Sequence, residues 1–208
     1  MKYRTIILGL FGAAGIAALA AQAQVPGVNS TLNTVFTLAY DNSTSKPTYS
    51  ATIANVTPAA AANDVCTITG SATTTVRIRR VIFSGRADAV MTDPVGIVKR
   101  SAATTGGTSV LMTNVPHDSG SSAATAVTEY YTANGAIGAI VGAVADVYVQ
   151  FANATTGLGS QYVFKFGELG SPLVLRGAAQ QLAVNLGGLT YTSGSIACTF
   201  EWTEDSDS

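Results

Sequence analysis

The run Pro116-His117-Asp118-Ser119 sets an imidazole, a carboxylate and a hydroxyl side by side, the three groups of a hydrolytic relay. A working relay brings nucleophile, base and orienting acid together from separate positions. Neighbours in an extended segment or a turn point apart, so the expectation here is an Asx-type turn with a solvent-facing His117. That His is the single one in the chain, which removes every multi-His metal site. The acids Asp41, Asp64, Asp88, Asp93, Asp118, Glu129, Asp146 and Glu168 offer carboxylates for glycoside chemistry, which needs two of them about 5–10 Å apart. None lies in an aromatic-rich stretch; eight Tyr, seven Phe and one Trp in 208 residues give an ordinary stacking surface. Gly106-Gly107 lacks the Lys and the following helix of a phosphate loop and reads as a connector. No catalytic residue, cofactor or metal site is expected, and the chain reads as a non-enzyme.

Two other groups of residues carry chemistry of a different kind. Arg77, Arg79 and Arg80 form the dense basic cluster of the chain, with Arg86 nearby. They are a candidate charged contact face toward a negatively charged partner; the plainer reading is a solvated strand face, screened by salt. Cys66 and Cys198 both sit in alternating strand patterns near opposite ends of the chain. They form a disulfide if the compartment is oxidising, or stay two buried thiols if it is not. A bond would make the strand near the domain start a neighbour of the last strand.

The elements that must position these groups are strands. Short runs such as Tyr49–Val56, Val65–Thr69, Val76–Phe83, Val144–Phe151, Gln181–Leu186 and Ser195–Trp202 alternate or are rich in β-branched residues, and Gly, Ser, Thr and Asn turns separate them. In Val76–Phe83, Val76 and Ile78 are expected inside, Arg77 and Arg79 outside. Asp93-Pro94 breaks Val90–Arg100 and marks it as an edge strand or two pieces. The last residues, Glu201 to Ser208, carry four acids and read as a solvated tail. No amphipathic helix of ten residues follows the leader. The fold class expected is all-β, an antiparallel jelly-roll-like β-sandwich preceded by an extended N-terminal arm. A jelly roll keeps its first and last strands in one sheet. An immunoglobulin-like sandwich would want its Trp between the cysteines, and Trp202 follows both.

Three segments divide the chain. Residues 1–23 have Lys2 and Arg4, an uncharged run from Ile6 to Ala20, and Ala21-Gln22-Ala23 as an A-x-A cleavage site, the layout of a secretory signal peptide. An uncleaved anchor is the alternative and the one route to a membrane. Residues 24–34 are the extended arm, and 35–208 the β-sandwich domain with its acidic tail. Eleven Lys and Arg against twelve Asp and Glu give a net charge of -1 and no basic field for nucleic acid.

Several runs, taken in order, carry a resemblance. They are Ile97-Val98-Lys99-Arg100-Ser101, Thr105-Gly106-Gly107-Thr108-Ser109, Val115-Pro116-His117-Asp118-Ser119 and Ala123-Ala124-Thr125-Ala126-Val127. Tyr131-Thr132-Ala133-Asn134, Val174-Leu175-Arg176-Gly177, Gln181–Leu186 and Glu201-Trp202-Thr203-Glu204 follow. In this order, over roughly residues 25 to 205, the chain resembles tailed-phage and prophage virion structural proteins. The resemblance implies a β-sandwich with a decoration- or fibre-like structural role on a virion, and no enzymatic activity. The leader is the departure from that pattern, because virions assembled in the cytoplasm need no export signal; it points to an exported, surface-displayed form. The partner expected is the chain itself as a homo-oligomer, a trimer first, and beyond it a capsid or cell-surface lattice. A secreted carbohydrate-binding module or adhesin, and a pilus-like subunit exchanging its N-terminal strand, are the alternatives.

Overall fold

The computed structural model describes residues 46–87, 91–153, 160–168, 172–189 and 194–206. The leader, the arm and the first residues of the 35–208 segment, up to 45, lie outside the described residues. Twelve strands follow in order: β1 (Thr48–Val56), β2 (Ala62–Thr69), β3 (Thr74–Ala87), β4 (Met91–Arg100), β5 (Thr108–Leu111), β6 (Asn114–Pro116), β7 (Val127–Ala133), β8 (Ile140–Asn153), β9 (Gln161–Lys165), β10 (Leu173–Leu175), β11 (Gln181–Leu189) and β12 (Gly194–Ser206). They form two sheets of antiparallel strands. Sheet A runs β6-β1-β12-β3, with β9 and β10 in succession along the far side of β3. Sheet B runs β5-β7-β2-β11-β4-β8. The last two residues of β8 leave sheet B and pair in parallel with Arg86 and Ala87 of β3. At the other side, the stretch from 101 to 139 between β4 and β8 contributes β6 to sheet A and β5 and β7 to sheet B.

Alternation builds the interior. On β12, Ile196, Cys198, Phe200 and Trp202 are buried, and Cys198, Phe200 and Trp202 are fully so. On β11 the inward residues are Leu182, Val184 and Leu186; on β4, Val95 and Ile97; on β8, Val149 and Phe151. Each such side chain contributes about 1.5–3 kcal/mol relative to exposure. Tyr49 stacks on Trp202 with ring centroids 5.8 Å apart, and Phe83 meets Phe151 edge-on at 6.1 Å. Gly85 of β3 is required by the second contact: a Cβ there would overlap the Phe151 ring.

The alternation on β3 changes phase in mid-strand. Val76 and Ile78 are buried, and so are Val81, Phe83 and Ala87. The pairs Arg80↔Glu201 and Ile78↔Trp202 leave Arg79 as the extra residue of a β-bulge against β12. A bulge lets two consecutive residues share one side, and Arg79 and Arg80 are both exposed.

Three expectations are corrected. Cys66 and Cys198 are bonded, with Cα atoms 6.6 Å apart, but β2 and β12 are not neighbours in one sheet. The bond crosses from sheet B to sheet A, where β12 lies between β1 and β3. Asp93-Pro94 does not break β4, nor is β4 an edge. Its pairing with β11 covers only Gly96–Arg100, so Pro94 lies where the strand is paired on the β8 side alone and no ladder bond to β11 needs its N–H. Finally, Glu201 to Asp205 are not a solvated tail but part of β12, and Glu204 is buried.

Candidate functional site

The three arginines do not act as one face. Arg77 is half-buried and turned to Asp205, with Nε–Oδ1 at 3.0 Å and Nη2–Oδ2 at 3.2 Å. Lys46 Nζ donates to the same carboxylate at 2.7 Å. Burial pushes the Asp205 carboxyl up, but hydrogen bonds and charge from Arg77 and Lys46 outweigh it and hold it below the ordinary aspartate range. Arg80 pairs with Glu201 at 2.7 Å, its cross-strand partner on β12. Arg79 makes no ion pair or side-chain hydrogen bond among the described residues. With Arg80, Lys165, Phe166, Gly167, Glu168 and Glu201 it lines a pocket of about 160 Å³. Lys165 stands directly across from Arg80 on β9 and pairs with Glu168 at 3.0 Å. Gly167, at φ 81°, turns the chain after Phe166, whose N–H donates to Arg79 O at 2.8 Å.

A second group was not found by spacing. Arg100 and Asp64 form an ion pair whose side chains are each 1% exposed, with Nε–Oδ2 at 2.8 Å and Nη2–Oδ1 at 2.6 Å. Thr104 Oγ1 and Asn185 Nδ2 donate to the same carboxylate at 2.6 and 2.7 Å, and Arg100 Nη1 donates to Gly138 O at 3.0 Å. Gln181 accepts from Thr104 N and donates to Thr69 Oγ1. Gln181 and Asn185 alternate with the inward residues of β11, so this network lies on the outer face of sheet B. Residues of the 101–139 segment cover it. Gly138 lies so close to Ala102 that a Cβ would overlap its carbonyl. A bidentate Arg–carboxylate pair with every oxygen satisfied is a structural clamp.

Glu204 makes a third cluster. Its carboxylate accepts from Trp202 Nε1 at 2.8 Å, Thr125 N at 2.9 Å, Thr125 Oγ1 at 2.6 Å and Ala126 N at 3.0 Å. It therefore pins the 124–126 stretch to sheet A.

His117 is exposed, and Asp118 Oδ1 accepts from Gly120 N at 2.8 Å, an Asx turn that points the carboxylate at its own backbone. Asp93 is half-buried, and burial pushes its carboxyl up. Trp202, the residue a glycan-binding reading would put forward for stacking, is fully buried and unavailable to a ligand. Among the described residues no three His, Cys, Asp or Glu side chains gather at metal-binding distance, and no helix is long and apolar enough to cross a membrane.

The remaining surface feature is apolar. Ile140, Val141 and Tyr148 of β8 are 60%, 63% and 73% exposed, and Val144 is exposed beside them. Two bulges, at Val144 and Val141, interrupt the pairing of β8 with β4. Comparison with known proteins adds no relative to this picture: no family model, no curated protein and no solved structure matches the chain.

Proposed function

We propose that the chain is a non-enzymatic structural protein that assembles with copies of itself on a particle or cell surface, in the manner of the virion structural proteins it resembles. The observation that carries this reading is strand β8. From Ile140 to Phe151 it pairs with β4 on one side, and its other edge has no strand partner among the described residues. Natural edge strands are blunted by Lys, Pro or inward charge. β8 contains no Lys, Arg or Pro, and Asp146 is its one charge. Four exposed apolar side chains accompany the open edge. A long edge with a single charge and no Lys or Pro is suited to pairing with another strand.

The strand order supports a jelly roll as the finer fold. β1-β12-β3-β9 in sheet A and β2-β11-β4-β8 in sheet B is the order of two interleaved Greek keys, with β5, β6 and β7 as an insertion and β10 as an addition. The buried Cys66–Cys198 bond fits an oxidising compartment, and so supports export rather than assembly in a reducing cytoplasm. A capsid or cell-surface lattice is the natural further partner.

Light scattering during size exclusion tests the reading. The wild-type protein is expected to form a discrete oligomer, a trimer first, and Val141→Lys with Tyr148→Lys to leave a folded monomer. A wild-type monomer at micromolar concentration defeats it. Loss of the oligomer on deleting residues 24–34, with β8 intact, would instead favour the pilus-like form, in which the arm of one copy fills the edge of the next.

A further inference from the structure

We propose that the pocket at the arginine bulge binds a single carboxylate carried on a sugar-sized ring, that is, a hexuronate-type sugar acid. The bulge at Arg79 puts two consecutive guanidinium groups on the same exposed side of β3. Lys165 stands directly opposite Arg80, and like charges in register across a strand pair repel. Glu201 and Glu168 compensate Arg80 and Lys165, one each. Three cations against two anions in the lining leave one positive charge, and it belongs to Arg79.

That balance selects the ligand. A free guanidinium presents a planar fork that matches a carboxylate. One negative charge neutralises the pocket; a dianion such as sulfate would bring a second charge up against Glu168 and Glu201. Space of about 160 Å³, set against about 30 Å³ per water, holds a ring rather than a lone ion. Of the lining side chains, Phe166 alone is apolar. An apolar acid would desolvate the two ion pairs without replacing their hydrogen bonds, whereas ring hydroxyls can donate to Glu168 and Glu201 and accept from Lys165.

The test is an NMR titration of the purified protein with sodium glucuronate, glucose and sulfate in parallel. Glucuronate is expected to shift the Arg79 Nε–H and the Gly167 amide saturably, with millimolar affinity, and glucose to leave them unmoved. Arg79→Gln should abolish the response, and Arg79→Lys, which keeps the charge but loses the fork, should weaken it on the order of tenfold. The Arg79 side chain is exposed and makes no ion pair or hydrogen bond among the described residues, so both variants should keep the wild-type amide spectrum elsewhere. The proposal is overturned by an absent or non-saturable glucuronate response, by an equal response in Arg79→Gln, by glucose binding as well as glucuronate, or by sulfate binding more tightly.

Discussion

The space between the two sheets and the layer beneath the 101–139 segment both exclude solvent, and they do so by opposite means. Between the sheets the side chains are apolar and the link that crosses is covalent, Cys66–Cys198. Beneath the segment the buried groups are Asp64, Arg100, Thr104 and Gln181, and their links are hydrogen bonds. Ala183, Val98 and Tyr131 are buried in sheet B yet stand apart from the inter-sheet cluster. The difference is one of specification. An apolar interior tolerates approximate packing partners, while a buried charge holds one geometry or is strongly unfavourable. The sandwich is therefore stabilised globally, and the insertion is held in one position by a small set of named atoms.

The largest effect that separates the two regions comes from the disulfide. It closes a loop with a sequence separation of 132, which in the loop-entropy model stabilises by about 5 kcal/mol. Cys66→Ala with Cys198→Ala, or reduction of the wild type, is expected to lower Tm for the whole domain in a single transition. Hydrogen exchange should quicken in both sheets together. A change confined to β2 and β12 would show that the interior is not one cooperative unit.

Removing Arg100 comes next. Arg100→Met leaves the Asp64 carboxylate buried without its cation, at about 3–5 kcal/mol. The loss should appear first as proteolysis between Ser101 and Thr108 and around Gly138, with the inter-sheet amides still protected. Replacing both partners, Arg100→Met with Asp64→Leu, should recover a large part of the stability, since two apolar groups need no pairing. A double variant no better than the single one would mean that Thr104 and Asn185, not the charge pair, hold the segment.

These two regions were unequally legible. The inward faces of β8, β11 and β12, and of β3 up to Ile78, follow from period-two alternation, and Cys66 and Cys198 fall in such patterns. Alternation reports which face a residue takes, not which strand lies opposite. Hence the disulfide could be anticipated while its crossing between sheets could not. The same limit hid the polar layer: Asp64 and Arg100 are 36 apart in sequence. Arg100 falls on the outer face of sheet B, which alternation assigns to solvent, and Asp64, in phase with the inward Cys66 and Ile68, reaches that face only through the bulge at Val65. Burial there comes from a later segment folding over it. The bulge at Arg79 left a trace, the step from Val76 and Ile78 to Val81 and Phe83, and the pair Arg79-Arg80 sits at that step. Glu204 left none, because an acid near a chain end carries no mark of the backbone amides it will meet.

Glu204 joins the two regions, and its effect is smaller. Burial pushes its carboxyl up, but the Thr125 hydroxyl, the Ala126 amide, the Trp202 indole and the Thr125 amide all donate to the charged form and hold it below the usual glutamate value. A carboxyl depressed in the folded state contributes stability that is present above its unfolded value of about 4.3 and lost as pH falls through the folded one. The domain should therefore lose stability on acidification below that range, beginning at the 124–126 stretch. Glu204→Gln keeps the shape and removes the charge, at about 1–3 kcal/mol at neutral pH, and should flatten the acid limb. An acid limb as steep in the variant as in the wild type would assign the dependence elsewhere, with Asp205 the next group to replace.

Tyr131 gives the smallest change and the cleanest separation of the two regions, because it acts from the opposite end of the pH scale. Its single hydroxyl proton has two acceptors within reach, Thr104 O at 3.4 Å and Glu129 Oε2 at 3.5 Å, both long. Tyr131→Phe should thus shift stability by about 1 kcal/mol or less at neutral pH. Burial first, then the charges of Glu129 and Asp64, push the phenol up to about 12. An acid raised in the folded state ionises first in the unfolded chain, so stability is whole below about 10 and is lost as pH climbs toward the folded value. Melting curves at rising pH should show that loss in the wild type and a weaker one in Tyr131→Phe. If opening begins in the polar layer, proteolysis at Ser101–Thr108 will precede the global transition at alkaline pH, whereas reduction of the disulfide will bring both on together. Coincident onset under both treatments would show that the layer and the inter-sheet core melt as one.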